Sequence, residues 1–257
     1  MQKIRSQTSL TGVENYENNY MELPFENIVR EYRKKNILEI VKKYPHSQFL
    51  EIGCGADPLF MEIRDFTKMV VVEPGTLFYQ MALANANANA NEYGNILVIN
   101  DLIENITDKL QEEFFDFIVI GGFLHEIKNP EAVLQAVRKI ATKNTLVYSF
   151  VPNVKSFHRL LAYEMGIIES INQKSGHDKL FQRQNSYDPD TFNKLLTHNG
   201  FSVVESGSYF IKPFTHAQMN ELLSTGIIDK NCLDGLDKMQ KHLPGMGAEI
   251  YNVCRLQ

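Results

Sequence analysis

The chain of 257 residues lacks several features that would assign it quickly to a class. It has no Arg/Lys-rich stripe interleaved with aromatics, and its formal net charge is −5. An acidic chain without such a stripe has no general affinity for phosphate backbones, which argues against a nucleic-acid partner. No stretch approaches the ~18 apolar residues of a membrane span. The opening Met1-Gln2-Lys3-Ile4-Arg5-Ser6-Gln7 has no apolar core of a signal peptide. These absences predict a cytoplasmic protein with no membrane span. Cysteine is scarce: Cys54, Cys232 and Cys254 are odd in number and lack metal-ligand spacing, as suits reduced thiols. No Asp/Glu/His cluster has the spacing of a metal site, and His125 beside Glu126 does not make one, so metal-independent chemistry is expected.

What is present points to one sizeable core. Hydrophobic residues make up 44% of the chain, and the length suits one elaborated domain or one and a half. The most informative stretch is Phe49-Leu50-Glu51-Ile52-Gly53-Cys54-Gly55, an apolar run that breaks into two closely spaced glycines. Without Cβ, Gly53 and Gly55 can adopt unusual backbone angles and let a nucleoside-bearing ligand approach the main chain. Met69-Val70-Val71-Val72 reads as a second buried strand ending in Glu73. A carboxylate there, about 20 residues past the first glycine, can accept both hydroxyls of a ribose. Dinucleotide enzymes share this much, but they usually carry a third glycine where this chain has Ala56-Asp57-Pro58.

On these residues the chain resembles the class I S-adenosylmethionine-dependent methyltransferases, whose E-x-G-x-G motif is met by Glu51, Gly53 and Gly55. Two later segments extend the resemblance. Leu97-Val98-Ile99-Asn100-Asp101-Leu102 resembles the third strand, whose Asp contacts the adenine amino group. Phe114 to Gly122 resembles the fourth, beside the methionine part. The resemblance implies a Rossmann-like α/β fold, a mostly parallel seven-stranded sheet with an antiparallel last strand, and helical insertions on the acceptor side. It implies a cofactor site of Glu51, Gly53, Cys54, Gly55, Glu73, Pro74, Asp101, Leu102, Gly121 and Gly122, with Glu51 reaching the ligand's ammonium group directly or through water.

The organisation follows from periodicity. Residues 1–46 read as an arm followed by one or two helices, and residues 47–257 as the main domain. Tyr16 and Tyr20 of the arm are either surface tyrosines or a cover over the cofactor. From Phe25 to Tyr44, apolar Ile28, Tyr32, Ile37, Ile40 and Val41 recur at helical spacing, and Pro45 stops the run. The Ala84–Asn91 alternation reads as a helix followed by a frayed loop ending at Gly94, and Pro130 to Ile140 as an amphipathic helix. Thr145 to Val151 makes the fifth strand and Glu249 to Cys254 the last. Segments 152–187 and 212–247 exceed a minimal domain and are expected to wall the acceptor pocket.

Methyl transfer to an alcohol requires loss of a proton, so a base is expected near the methyl. His125 directly follows the fourth strand and titrates in the right range; bracing a loop is its structural alternative. His158 and His177, in the first extra segment, are the other candidates. Arg159, Lys179 and Lys212 suggest a small-molecule acceptor that is anionic or sugar-linked. The patterns Val151-Pro152-Asn153, Ser156-Phe157-His158-Arg159 and Ile211-Lys212-Pro213-Phe214 are similar to methyltransferases of bacterial surface-polysaccharide modification, which implies O-methylation of a sugar, sugar nucleotide or phosphate-linked precursor. Two rival functions remain at this level: a non-catalytic S-adenosylmethionine-binding regulator and a nicotinamide-dependent oxidoreductase.

Overall fold

A computed structural model describes residues 24–89, 94–174 and 184–257. Seven strands form one sheet: β1 Gln48–Ile52, β2 Lys68–Val72, β3 Asn95–Ile99, β4 Phe117–Ile120, β5 Leu146–Pro152, β6 Phe201–Tyr209 and β7 Glu249–Leu256, in the order β3-β2-β1-β4-β5-β7-β6. β1 to β5 run parallel, whereas β7 is antiparallel to both β5 and β6.

Sequence composition explains why the central strands lie in the middle. β1, β2 and β4 are nearly continuous apolar runs, and successive residues face opposite sides, so such strands need cover on both faces. Phe49, Met69, Val71, Phe117 and Val119 belong to one buried cluster, together with Val29, Tyr32 and Ile40 of helix α1 Pro24–Val41. Leu50, Ile52, Val70, Val72, Ile118 and Ile120 belong to the other. That second face is covered by α3 Ile103–Leu110, α4 Pro130–Ile140 and α6 Pro189–His198, through residues such as Ile106, Val137 and Leu196.

One helix, not two, occupies the 25–44 stretch, and it ends before Pro45. Helix α2 Thr76–Ala88 takes up much of the Ala/Asn repeat: Ala82 and Ala86, four apart, are buried, while the amide of Asn89 donates to the carbonyl of Asn85. After the glycine turn there is only a 3₁₀ turn, Leu59–Met61, preceded by Pro58. The first extra segment holds α5 Phe157–Glu164, which has no buried residue. The second holds α7 His216–Ser224 and α8 Lys230–Lys238, whose Met219 and Leu233 join the α1 side of the core. No helix among the described residues is long and apolar enough to cross a membrane.

Packing around α3 provides a test of this arrangement. Ile106 is fully buried against the face covered by α3 and α4. Ile106→Ala should cost ~2–5 kcal/mol, the range for truncating a buried aliphatic side chain. Urea unfolding followed by circular dichroism checks this; a midpoint unchanged from the parent would contradict the packing.

Candidate active site

Strand order places the site. β1 is hydrogen-bonded to β2 on one side and β4 on the other, so the connections leaving β1 and β4 diverge across opposite faces of the sheet and a crevice opens at their carboxyl ends. The ladder runs one residue past the strands: Gly53 N–H donates to Val72 O, Gly121 N–H to Ile52 O and Glu73 N–H to Ile99 O, at 2.8, 2.8 and 2.9 Å. Gly53, Glu73 and Gly121 therefore stand side by side at the mouth of a cavity of about 720 Å³.

Two of these positions require glycine. Gly53 has φ of +75°, and a Cβ there would also meet the Phe123 ring at 2.8 Å. A Cβ on Gly121 would lie 2.2 Å from the Gly53 carbonyl oxygen, so β1 and β4 could not approach as they do. Glu73 closes the turns: its Oε2 accepts from Gly55 N–H at 3.0 Å and its Oε1 from Gly75 N–H at 2.8 Å. Gly75 is the residue immediately before α2. Glu51 accepts from Leu59 N–H at 2.9 Å and so holds the start of the 3₁₀ turn against the strand.

The cavity wall contains Glu51, Gly53, Cys54, Gly55, Glu73, Pro74, Leu102, Gly121 and Gly122 from the expected cofactor set. Asp101 is not part of that wall. Its Oδ1 accepts from Leu102 N–H and from the Asn105 amide, both at 2.8 Å, which secures the entry to α3 beside the cavity. Burial, with the charges of Glu51 and Glu73 adding to it, keeps the Cys54 thiol protonated, so Cys54 supplies bulk and no nucleophile.

The three candidate histidines separate. His125 is buried in the cavity wall, with Nε2 3.4 Å from Glu126 Oε1. Its carbonyl accepts from the N–H groups of Gln184 and Asn185, and the Asn185 amide donates to Ile127 O, so residues 184–185 brace the turn that carries it. His158 lies off the cavity, its Nδ1 3.1 Å from Ser156 Oγ at the start of α5. His177 lies outside the described residues, as do Tyr16, Tyr20 and Lys179.

The wall at the far end comes from elements that the sequence pattern did not connect with it. Glu26, Arg30, Arg33 and Lys34 of α1, Phe150 and Pro152 of β5 and Glu249 of β7 face the cavity. Arg33 Nε and Nη2 reach the two oxygens of Glu249 at 2.9 and 2.5 Å, and Nη2 also reaches Glu26 Oε1 at 3.1 Å. The Arg33 guanidinium stands 5.2 Å from the Phe150 ring centroid. Tyr209 donates its hydroxyl to Glu249, and burial together with that carboxylate holds its phenol well above its usual pKa. Arg33 and Glu249 lie 216 residues apart, and nothing local in the sequence marks them.

The extra segments contribute little here. Among the described residues, Pro152 is the one member of 152–187 on the wall, and 212–247 contributes none. Arg159 is committed to the carbonyls of Ile171 and Gln173, and Lys212 is buried away from the cavity.

Residues 25–206 match a family model described as a methyltransferase domain. No curated protein matches the chain. Among solved structures, it is similar to an S-adenosylmethionine-dependent methyltransferase from Thermotoga maritima described as a possible histamine N-methyltransferase, with a TM-score of 0.60, 17% identity, and coverage of 96% of this chain and 100% of that one. It is also similar to the N-methyltransferase NodS from Bradyrhizobium japonicum in complex with S-adenosylhomocysteine, with a TM-score of 0.55, 14% identity, and 96% and 97% coverage. The plantazolicin methyltransferase BamL, solved with a triazolic analogue and S-adenosylhomocysteine, has a TM-score of 0.53, 17% identity, and 96% and 86% coverage.

Glu51 gives the site a pH signature. Burial is the largest cause of a carboxyl pKa raised to about 8; the Leu59 N–H opposes it and the Glu73 charge adds to it. In this state the folded chain retains a proton that the unfolded chain releases near pH 4.5. The stabilising contribution is complete below about pH 4.5 and is lost as pH rises through about 8. Glu51→Gln should flatten that part of the stability profile. Urea unfolding across this range checks it, and an unaltered slope in the variant would contradict the assignment.

Proposed function

The chain belongs to the S-adenosylmethionine-dependent methyltransferases, and from that premise we propose that the cavity at the β1–β4 crevice holds cofactor and acceptor end to end for O-methylation of a small polar acceptor. The observation that carries this reading is the continuity of one wall, from Glu73 and Leu102 through the glycine turn and Gly121–Gly122 to His125.

The residues present fit the cofactor. A cradle with glycine at 53 and 121 leaves room for a ligand against the main chain, and the cavity volume lies in the ~300–1,000 Å³ range of small-ligand sites. When bound, S-adenosylmethionine supplies an electrophilic methyl group on a sulfonium. Glu73 is assigned to the ribose hydroxyls, Pro74 and Leu102 to the flanks of the nucleoside, and Glu51 with Gly53, Cys54 and Gly55 to the amino-acid end. Gly121 and Gly122 face that end from β4. Asp101 is assigned the adenine amino group; its oxygen now holding Asn105 would be shared with the ligand.

Chemistry on the acceptor side falls to His125. Displacement at a methyl group depends on alignment, and an alcohol must also lose its proton. His125 takes that proton through a ring nitrogen, and Glu126 3.4 Å away favours the imidazolium that results. The 184–185 brace holds the backbone of His125 at the wall. No protein-bound metal is required for this step. A sugar or sugar-linked precursor, handled in the cytoplasm, is the acceptor supported by the resemblance of the 151–161 and 211–219 segments to surface-polysaccharide methyltransferases.

Two variants test these assignments separately. Glu73→Ala should weaken S-adenosylhomocysteine binding by ~1.5–3 kcal/mol, the worth of hydrogen bonds to a charged group, as measured by calorimetry. Unchanged affinity would remove Glu73 from the ribose. His125→Ala should lower turnover by ~10²–10⁴, the typical contribution of general-base catalysis, with far less effect on cofactor affinity. Near-full turnover at saturating acceptor would eliminate His125 as the base, and a comparable loss in His158→Ala or His177→Ala would transfer the role.

A further inference from the structure

Two polar side chains stand in the middle of an apolar face, and neither lines the cavity. Ser149 of β5 and Asn252 of β7 are 0% and 1% exposed. Ser149 Oγ and Asn252 Oδ1 make no hydrogen bond to any described residue. They are also neighbours: in the antiparallel register of β5 and β7, Ser149 lies directly opposite Asn252. Side chains alternate between faces along a strand, so Ser149 shares its face with Val147 and Val151, and Asn252 with Ile250 and Cys254. Those four neighbours belong to the buried apolar cluster that α3, α4 and α6 cover.

A buried oxygen without a partner is costly, because it has given up water and received nothing in exchange. Two of them opposite each other share one remedy. Directly opposed residues of an antiparallel pair have Cβ atoms ~4.5–5.5 Å apart, which leaves the hydroxyl and the amide oxygen within reach of a single bridging molecule. The chemistry of the pair defines that molecule. Asn252 Oδ1 only accepts, whereas Ser149 Oγ can donate or accept, so the bridge must donate to one oxygen and do either with the other. Water does both. A hard cation would need several more oxygen ligands, and the side chains of Val147, Val151, Ile250 and Cys254 offer none. An entry route lies in the same row: on its other side Asn252 is opposite Ser206 of the edge strand β6, which is exposed, and β6 carries a register shift between Val203 and Glu205 just before it.

We propose that Ser149 and Asn252 form a binding site for one internal water, which donates to Asn252 Oδ1 and shares a hydrogen bond with Ser149 Oγ. The site is separate from the cavity at the β1–β4 crevice and stands whatever reaction that cavity performs. It bears on the cavity wall through strand register. A slip of β7 by one residue would turn Asn252 to the other face and away from Ser149, so the bridge favours the observed pairing of β5 with β7. Glu249, on the cavity wall, is carried by the same strand and takes its position from that pairing.

A crystal structure of the full chain, at a resolution that shows ordered water, tests the site directly. One water should lie within about 3.2 Å of both Ser149 Oγ and Asn252 Oδ1. A direct hydrogen bond between Ser149 and Asn252, or no water between them, would overturn the proposal. Magnetic relaxation dispersion of the water oxygen nucleus, which counts waters held inside a protein in solution, supplies an independent measurement. Asn252→Leu removes the acceptor and fills its space, and should lower that count by one relative to the parent. Ser149→Ala is the second variant if Asn252→Leu does not fold; it should lower the count likewise, because a buried water is held by two or more polar partners. An unchanged count in a folded variant would overturn the proposal.

Discussion

The Glu73 carboxylate is the contact on which the site depends. It joins the turn after β1 to the residue that precedes α2, with one oxygen on Gly55 N–H and the other on Gly75 N–H. Both N–H groups belong to backbone that has left the sheet ladder and would otherwise need water inside a cavity wall. A carboxylate can satisfy both at once because it offers two oxygens, and charge-assisted bonds to it are stronger than neutral ones. With the ribose assignment proposed above, the residue that shapes the turn would also be the one that meets the ligand.

Close approach of strands complements that contact. With Gly121 donating to Ile52 O and leaving no side chain against Gly53 O, β4 passes β1 tightly enough to continue the floor of the crevice toward His125. Beyond His125 the chain is held by a distant segment, through the N–H groups of Gln184 and Asn185 on the His125 carbonyl. The first extra segment thus acts on the site by fixing a backbone carbonyl, and Arg159 holds part of that segment together by binding the carbonyls of Ile171 and Gln173.

At the opposite end, a half-buried guanidinium organises the meeting of α1, β5 and β7. Arg33 bridges Glu26 and Glu249 and lies near Phe150, while the Tyr148 hydroxyl donates to Asn36 Oδ1 at 2.8 Å one helical turn further along α1. Buried ion pairs of this kind are not strong sources of net stability, since desolvation offsets much of the attraction. Their consequence here is positional: they fix the register of α1 over the sheet, and with it the carboxylates on the cavity wall.

The fold and the glycine-turn side of the cavity were legible because their signals are local. An apolar run facing both sides of a sheet can only be a central strand, Gly53 and Gly121 stand where no Cβ fits, and Glu73 follows directly from the end of β2. Helix α4 was read to the residue, because Pro130 opens it, Asn129 caps it and its apolar face repeats at helical spacing. The α1 and β7 side of the cavity was not legible. The extra segments, expected to wall the acceptor pocket, supply only Pro152 among the described residues of this cavity, whereas α1 and β7 supply several, with Arg33 and Glu249 separated by 216 positions. Sequence by itself determined which residues must be buried and which turns must be glycine, since those demands are set by side-chain chemistry and backbone sterics within a few neighbours. Only the tertiary structure decided which charges share the cavity with His125, because that depends on how an antiparallel last strand and an N-terminal helix meet, and no local period encodes the meeting.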